Sequence, residues 1–518
     1  MNNIPNLCIG DVSPNGQVSI LDEDRLSYSV LNNSKGAVGI RTISKSLLNE
    51  FIGYIIEHPD NTPTEVRNEL CGRTKIDKFE YGYASTLCIM AQMAISKRNA
   101  YITDKSNENQ NRLSPDDISY ISAIKTKPFV ILGGFSGTGK SQKVKELAFA
   151  TCPNNSHLRT SETTPGNYLL LSVKPNWHDA TEITGFRSSV NRNYYVTDFM
   201  RFLIKAMHFP NVPFFVCLDE MNLAPVEEYF ADFLSVIESR KKTSSGQIVT
   251  DAIIPASVFN EEYNDNFCIF DCLGFERMDR GMTDDGLHET LLGKFIRIDL
   301  INKIKRDGLT IPSNVIIIGT VNMDDTTNSF SRKVIDRAMT FETVVGKFGD
   351  EYFNSDVALN YVKNPLNGEL FLSDEVRATQ MIDEGRFILT KEEQTKILNF
   401  INDINEDLDG SPFKISYRIL NETILLYRSK KRIAEIMKDE DGLADGVEFK
   451  TDLNTIFDDI LMQKVLPRIE GDYEKCSKCL NKLSSRADNN EWQKSYDKIE
   501  FMIKRFGSDR SGFTSFWN

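Results

Sequence analysis

Four short runs in the middle of the chain are almost wholly apolar: PFVILGG (128–134), NYLLLSV (167–173), PFFVCLDE (213–220) and NVIIIGTVN (314–322). Between them apolar residues recur at helical spacing. Strands that read as buried on both faces and separated by helices predict a parallel sheet in an α/β fold. Residues 241–310 break this alternation and read as an insertion, with TSSG and MDRGMTDDG as loops. From about residue 390 no strand-like run remains; TKILNFINDINEDL, LNETILLYRSKKRIAEIM and LNTIFDDILMQKVL are helical in period. Ahead of the sheet, ITDKSNENQNRLS (102–114) is polar and turn-rich, the pattern of a linker. The expected division is an N-terminal domain over 1–101, a linker over 102–114, an α/β unit over 115–345 and a helical region over 346–518. Within the first, a strand-like beginning precedes two helical runs, ISKSLLNEFIGYIIEH and YASTLCIMAQMAISK, so it is expected to be mainly helical, α+β.

Composition narrows the class. With 40% hydrophobic and 26% charged residues the 518-residue chain is of globular type, which excludes wholesale disorder. Its 61 basic and 74 acidic residues leave a net charge of −13, so it is not a generally basic nucleic-acid binder. Residues 1–100 carry 10 basic and 11 acidic side chains, which gives that part no electrostatic footprint of DNA binding. Nine cysteines at irregular spacing do not make a disulfide framework. The opening MNNIPNLCIGDVSPNG lacks the basic and apolar regions of a secretory signal, and no apolar run is long enough for a bilayer. The expectation is a soluble, cytoplasmic protein with no membrane partner.

The chemistry begins at GFSGTGKS, Gly134 to Ser141, directly after the first strand and leading into the helix SQKVKELAF. This is the G-x-x-x-x-G-K-[ST] pattern in its strand-to-helix context. Gly137 and Gly139 allow successive backbone N–H groups to turn toward one anion, and the helix adds its N-terminal dipole. Lys140 reaches the β- and γ-phosphates, and the Ser141 hydroxyl ligates Mg²⁺. The expected nucleotide contacts are Gly134, Phe135, Ser136, Gly137, Thr138, Gly139, Lys140, Ser141 and Gln142. The run FFVCLDE places Asp219 at the carboxyl end of a buried strand, to hold Mg²⁺ through water, with Glu220 beside it to polarise the attacking water. A third strand ends at Asn322, which would orient that water. Arg337, in SRKVIDRAMTF, is the expected finger toward a neighbouring subunit's γ-phosphate; Arg332 competes for that role, and an ion pair with Asp336 or Glu342 is the plain alternative.

In this order the elements resemble an AAA+ ATPase, and more narrowly residues 115–485 resemble the McrB-like branch, motor subunits of modification-dependent restriction systems. The resemblance rests on KPFVILGGFSGTGKS (127–141), VKPNWHDATEITGF (173–186), LDEMNLAPVEEYFADFLSVIES (218–239), IPSNVIIIGTVNMDDTT (311–327), SRKVIDRAMTFE (331–342), SYRILNE (416–422) and FDDILMQKVLPRIEG (457–471). It implies a P-loop AAA+ domain with a helical C-terminal lid, a ring that is usually hexameric, and a separately encoded McrC-like nuclease partner, with DNA engaged through the complex. It also implies that Arg418 in SYRILNE is a lid arginine contacting bound nucleotide, and that Asn222 helps position water or a neighbouring arginine. Family members that use GTP carry an N-x-x-D motif, matched here by Asn322 and Asp325. The base lies a triphosphate's length from Asn322, so these residues do not derive GTP; ATP or GTP remains open, with ATP the broader default.

Other signals are weaker. Trp177, His178 and Asp179 read as structural rather than as an acid/base pair. Cys476 and Cys479 read as an i, i+3 helical pair rather than zinc ligands, with Cys268 and Cys272 the other close pair. Arg428, Lys430, Lys431 and Arg432 read as a solvated basic face. Three functions are compatible: a restriction or defence motor, a MoxR-like protein-remodelling chaperone, and a nucleotide-gated switch, which the intact Glu220 weakens.

Overall fold

The computed structural model describes residues 113–190, 194–260, 269–273, 287–289, 295–323, 330–343, 359–439, 451–508 and 512–517, with strand backbone at 12–13, 16–21, 25–31 and 38–44. The chain divides into two compact units, Met1–Gln110 and Asn111–Asn518. In the first, β1 (Val12–Ser13), β2 (Gly16–Leu21), β3 (Arg25–Leu31) and β4 (Val38–Ser44) form an antiparallel sheet in sequence order. The helical runs expected beyond Ser44, and most of the linker, lie outside the described residues.

The second unit opens with α1 (Pro115–Thr126), started by a capping box. Ser114 Oγ accepts from the Asp117 N–H, Asp117 Oδ2 accepts from the Ser114 N–H, and Pro115 occupies the first turn, where it loses no hydrogen bond. Next come β5 (Phe129–Gly134), α2 (Lys140–Thr151), β6 (Tyr168–Ser172), α3 (Asp198–His208), β7 (Phe214–Asp219), α4 (Ala231–Glu238), β8 (Val315–Asn322), the short helix α5 (Arg332–Ile335) and β9 (Met339–Thr343). The five strands form one parallel sheet in the order β9-β5-β8-β7-β6. Its faces follow the period of two: Val130 and Leu132 enter one apolar cluster, Phe129 and Ile131 the other. The first cluster includes α1 and the C-terminal helices; the second includes α3 and α4. Within 241–310 the described parts are two-stranded pairs and short helices, among them Lys241–Lys242 with Ile248–Val249 and Ala252–Ile254 with Leu309–Thr310.

The C-terminal region holds α6 (Lys391–Asp407), α7 (Tyr417–Asp439), α8 (Leu453–Ile460), α9 (Tyr473–Asn489) and α10 (Gln493–Ser508). It is not all-helical: β10 (Glu470–Asp472) pairs antiparallel with β11 (Phe513–Ser515). Strands of three residues, one carrying Gly471, are too short for an alternation to register. No helix among the described residues is long and apolar enough to cross a membrane.

Buried charge ties the helices to the sheet. Glu422 on α7 accepts from Lys127 at 2.6 Å and pairs with Lys464 at 2.9 Å; Lys464 sits in a π-helical turn, Leu461–Val465, and also donates to the Ala338 carbonyl at 2.7 Å. Burial pushes the Lys464 ammonium down to about 8, and although burial opposes it, Lys127 and Lys464 hold the Glu422 carboxyl below its ordinary range. Removing the shared anion leaves Lys464 buried with carbonyl acceptors alone and Lys127 with Glu238 as its one carboxylate partner, which costs about 3–5 kcal/mol. Glu422→Ala is therefore expected to lower the unfolding free energy by roughly that amount in urea titration, and a loss below about 1 kcal/mol would contradict the network's role.

Candidate functional site

The site lies at the carboxyl ends of β5, β7 and β8, where open α/β sheets bind ligands. The loop between β5 and α2 turns through Gly137 (φ 81°) and Gly139 (φ 76°), both left-handed, and a Cβ at either would meet nothing within 4 Å. Backbone conformation, not crowding, demands glycine there. Lys140 opens α2, is 6% exposed, and folds back across the loop to donate to the carbonyls of Gly134 (2.9 Å) and Phe135 (2.6 Å). Phe135 is exposed at the loop's tip. Thr138 Oγ1 meets Thr343 Oγ1 at 3.0 Å, and Thr343 donates to the Gly133 carbonyl, so the edge strand β9 supports the loop from below. The sequence places Ser136 within this loop and Gln142 at its exit into α2.

Ser141 Oγ donates to Asp219 Oδ1, and Thr320 Oγ1 donates to the same oxygen at 2.8 Å. Glu220 follows in a left-handed conformation, φ 53° and ψ 49°, which a non-glycine residue adopts only when its surroundings enforce it. Four contacts do so. The Glu220 N–H donates to Thr320 Oγ1 (3.0 Å), its carbonyl accepts from Leu223 (2.9 Å), Asn322 Nδ2 donates to its Oε1 (2.8 Å), and Tyr229 holds the next carbonyl, Met221 (2.9 Å). Met221 fits the notch at Gly319, where a Cβ would lie 2.3 Å from its sulfur. Asn222 Nδ2 donates to the Asn322 carbonyl at 3.1 Å. Because β8 lies between β5 and β7, Asn322 stands between the glycine loop and Glu220. The strand neighbour Cys217 has its thiol pushed up to about 12 by burial and the Asp219 charge.

Ser141, Asp219, Glu220, Asn222 and Asn322 are thus brought together beside the loop. The arginines are not. Met339 pairs with Val130 and Thr343 with Gly134, so Arg337, just before β9, lies at the amino end of the strands, roughly 13 Å or more from the level of Gly134. Its Nε is buried with no hydrogen-bond partner among the described residues. Arg332 is committed elsewhere: it donates to the Pro412 carbonyl at 2.8 Å and lies over the Phe413 ring at 5.0 Å. Neither Asp336 nor Glu342 pairs with Arg337; Asp336 faces Arg468, and Glu342 accepts from Lys498. Arg418 pairs with Glu238 at 2.8 Å, and Glu238 binds Lys127, ahead of β5. Arg418 is therefore also at the amino end, away from its own chain's loop. Asp325 lies outside the described residues.

The remaining signals resolve locally. Trp177 is buried edge-on to Tyr229, whereas Asp179 accepts from the Thr181 N–H and hydroxyl, which hold its carboxyl low. His178 is exposed, 3.7 Å from Glu228. Cys476 and Cys479 are core residues of α9, and burial raises both thiols; Cys268 is not among the described residues and the Cys272 side chain is not described. In the basic run, Lys430 is buried against Asp459 at 2.5 Å rather than solvated, and Arg428, Lys431 and Arg432 pair with Glu435, Glu393 and Glu369. Sequence reasoning missed Thr320 and Tyr229. The signal for Thr320 was its place two residues before Asn322 on one strand, hence on the same face.

No group of three or more His, Cys, Asp or Glu among the described residues makes a metal cage. The hard oxygen pair Ser141–Asp219 fits Mg²⁺, which keeps several waters and takes its other ligands from phosphate. A buried strand, this glycine loop and a helix opened by Lys140 constitute a P-loop within a mixed α/β fold. Residues 372–511 match a family described as a domain of unknown function, DUF8727. No curated protein matches the chain. Among solved structures, the chain is similar to a candidate ATPase from Cytophaga hutchinsonii, at 11% identity and a TM-score of 0.34, covering 66% of this chain and 82% of that one.

Proposed function

We propose that the protein is a Mg²⁺-dependent nucleoside-triphosphate hydrolase of the AAA+ type, using ATP or GTP. One observation carries this reading: Ser141 at the start of α2, Asp219 and Glu220 at the end of β7 and Asn322 at the end of β8 converge beside the P-loop. The loop N–H groups and Lys140 would bind the triphosphate. Ser141 and Asp219 would hold Mg²⁺, which when bound offsets phosphate charge. Glu220 would accept a proton from the water that attacks the γ-phosphorus, with Asn322 orienting both water and carboxylate, as the γ-phosphate parts from the β,γ-bridging oxygen. Steady-state hydrolysis of ATP and GTP by the purified chain tests this, with Glu220→Gln as control; no turnover of either would overturn it.

The assembly reading rests on the same sheet. A guanidinium at the amino end of the strands serves a phosphate only in a neighbouring copy, so the chain would act as a ring, six-membered by the family resemblance. Arg337→Ala is expected to leave nucleotide affinity of the isolated subunit unchanged while turnover of the assembly falls roughly 10³–10⁵-fold. Unchanged turnover would return the role to Arg332 or abolish it. We favour a McrBC-like restriction or anti-phage motor that drives a separate nuclease subunit on DNA. The second reading is a MoxR-like protein-remodelling chaperone, which shares all this machinery. Preference for GTP and stimulation by DNA would support the first; stimulation by a protein client but not DNA would support the second.

A further inference from the structure

We propose that Thr320 is a positioning residue that couples the metal-binding carboxylate to the catalytic carboxylate. The inference rests on the hydrolase reading above. Thr320 is 2% exposed on β8, and its single hydroxyl serves both groups: it donates to Asp219 Oδ1 at 2.8 Å and accepts from the Glu220 N–H at 3.0 Å. A hydroxyl has one proton and two lone pairs, so one direction of donation fixes the other as acceptance. Asp219 Oδ1 is then held by two hydroxyls, from Ser141 on α2 and Thr320 on β8, and its carboxylate cannot rotate without breaking one. The Glu220 N–H is anchored on the Thr320 hydroxyl oxygen, and that anchor is one of the contacts that keep Glu220 at φ 53° with its side chain against Asn322.

Seating of a cation at Ser141 and Asp219 therefore sets the Thr320 hydroxyl, and the hydroxyl sets the backbone that aims Glu220. Valine has the shape of threonine and none of this capacity. In Thr320→Val the Glu220 N–H loses its acceptor, Asp219 loses one of its two donors, and the P-loop itself is untouched. A purely structural role for Thr320 would lower the melting temperature and leave metal dependence alone.

The experiment uses the full chain as wild type, Thr320→Ser and Thr320→Val. It measures affinity for a fluorescent ATP or GTP analogue without and with Mg²⁺, and turnover as a function of Mg²⁺ concentration. Affinity without Mg²⁺ is expected to agree within about twofold among the three, while Thr320→Val needs about 10–100-fold more Mg²⁺ for half-maximal turnover and loses kcat with KM held. Thr320→Ser, which keeps the hydroxyl, is expected to return both quantities to within about threefold of wild type. Wild-type Mg²⁺ dependence in Thr320→Val overturns the proposal, as does a Thr320→Ser chain as defective as the valine one. If the valine chain does not fold, Thr320→Ala carries the same comparison. A wild-type chain that neither binds nor turns over nucleotide overturns the hydrolase reading and this one with it; normal wild-type turnover with an unaffected Thr320→Val overturns this one alone.

Discussion

Lys140→Ala is expected to abolish nucleotide binding at concentrations that saturate the wild type. In the structure the ammonium is already inside the loop, donating to the Gly134 and Phe135 carbonyls, and it is 6% exposed. A triphosphate offers charged oxygens in place of those neutral acceptors, and hydrogen bonds to charged groups contribute about 1.5–3 kcal/mol each. Two of them, to the β- and γ-phosphates, come to about 3–6 kcal/mol, or roughly 10²–10⁴ in affinity. Alanine also exposes two carbonyls to the incoming anion, which adds repulsion. Fold is not at stake: Val144, Leu147 and Ala148, one turn and more along α2, carry its packing on the sheet. Titration of a fluorescent nucleotide reads the effect directly. Affinity within about tenfold of wild type would remove the loop from the phosphate site.

The reason this loop's geometry was legible from sequence is that its backbone conformation constrains residue type. Gly137 and Gly139 must be left-handed, Lys140 must open a helix, and the strand before them must be buried, so local residue types report all three. The parallel sheet was legible for a similar reason, because burial on both faces leaves unbroken apolar runs. What escaped was set by contacts between distant segments. The resemblance makes Arg418 a nucleotide-facing lid residue; its partner Glu238 is 180 residues away, and only the packing of α7 beside Lys127 turns it to the amino end of the strands. Thr320 is a small polar residue within an apolar strand, and its two partners at the end of β7 lie about 100 residues earlier. Lys430 reads as surface charge because its neighbours are charged; the Asp459 that buries it belongs to α8. The short β10–β11 pair is held by a register between residues some 40 positions apart, which no local period announces.

Glu220→Gln is expected to bind nucleotide like the wild type and to lose turnover by about 10²–10⁴, the usual contribution of a general base. Glutamine keeps the length of the side chain and one oxygen, so Asn322 Nδ2 still has an acceptor where Oε1 now stands at 2.8 Å. The backbone at φ 53° also survives, because Thr320 and Tyr229 hold it through main-chain atoms of Glu220 and Met221. What is lost is the capacity to take a proton from water. A single-turnover measurement with pre-bound nucleotide separates this from any change in affinity, and near-normal rates would remove Glu220 as the base. The companion change Asp219→Asn divides the two carboxylates. It disturbs the oxygen shared by Ser141 and Thr320, so Mg²⁺-dependent affinity should fall there and stay intact in Glu220→Gln. Equal loss of affinity in both variants would mean that the adjacent carboxylates act as one metal site, and the water would then need a different base.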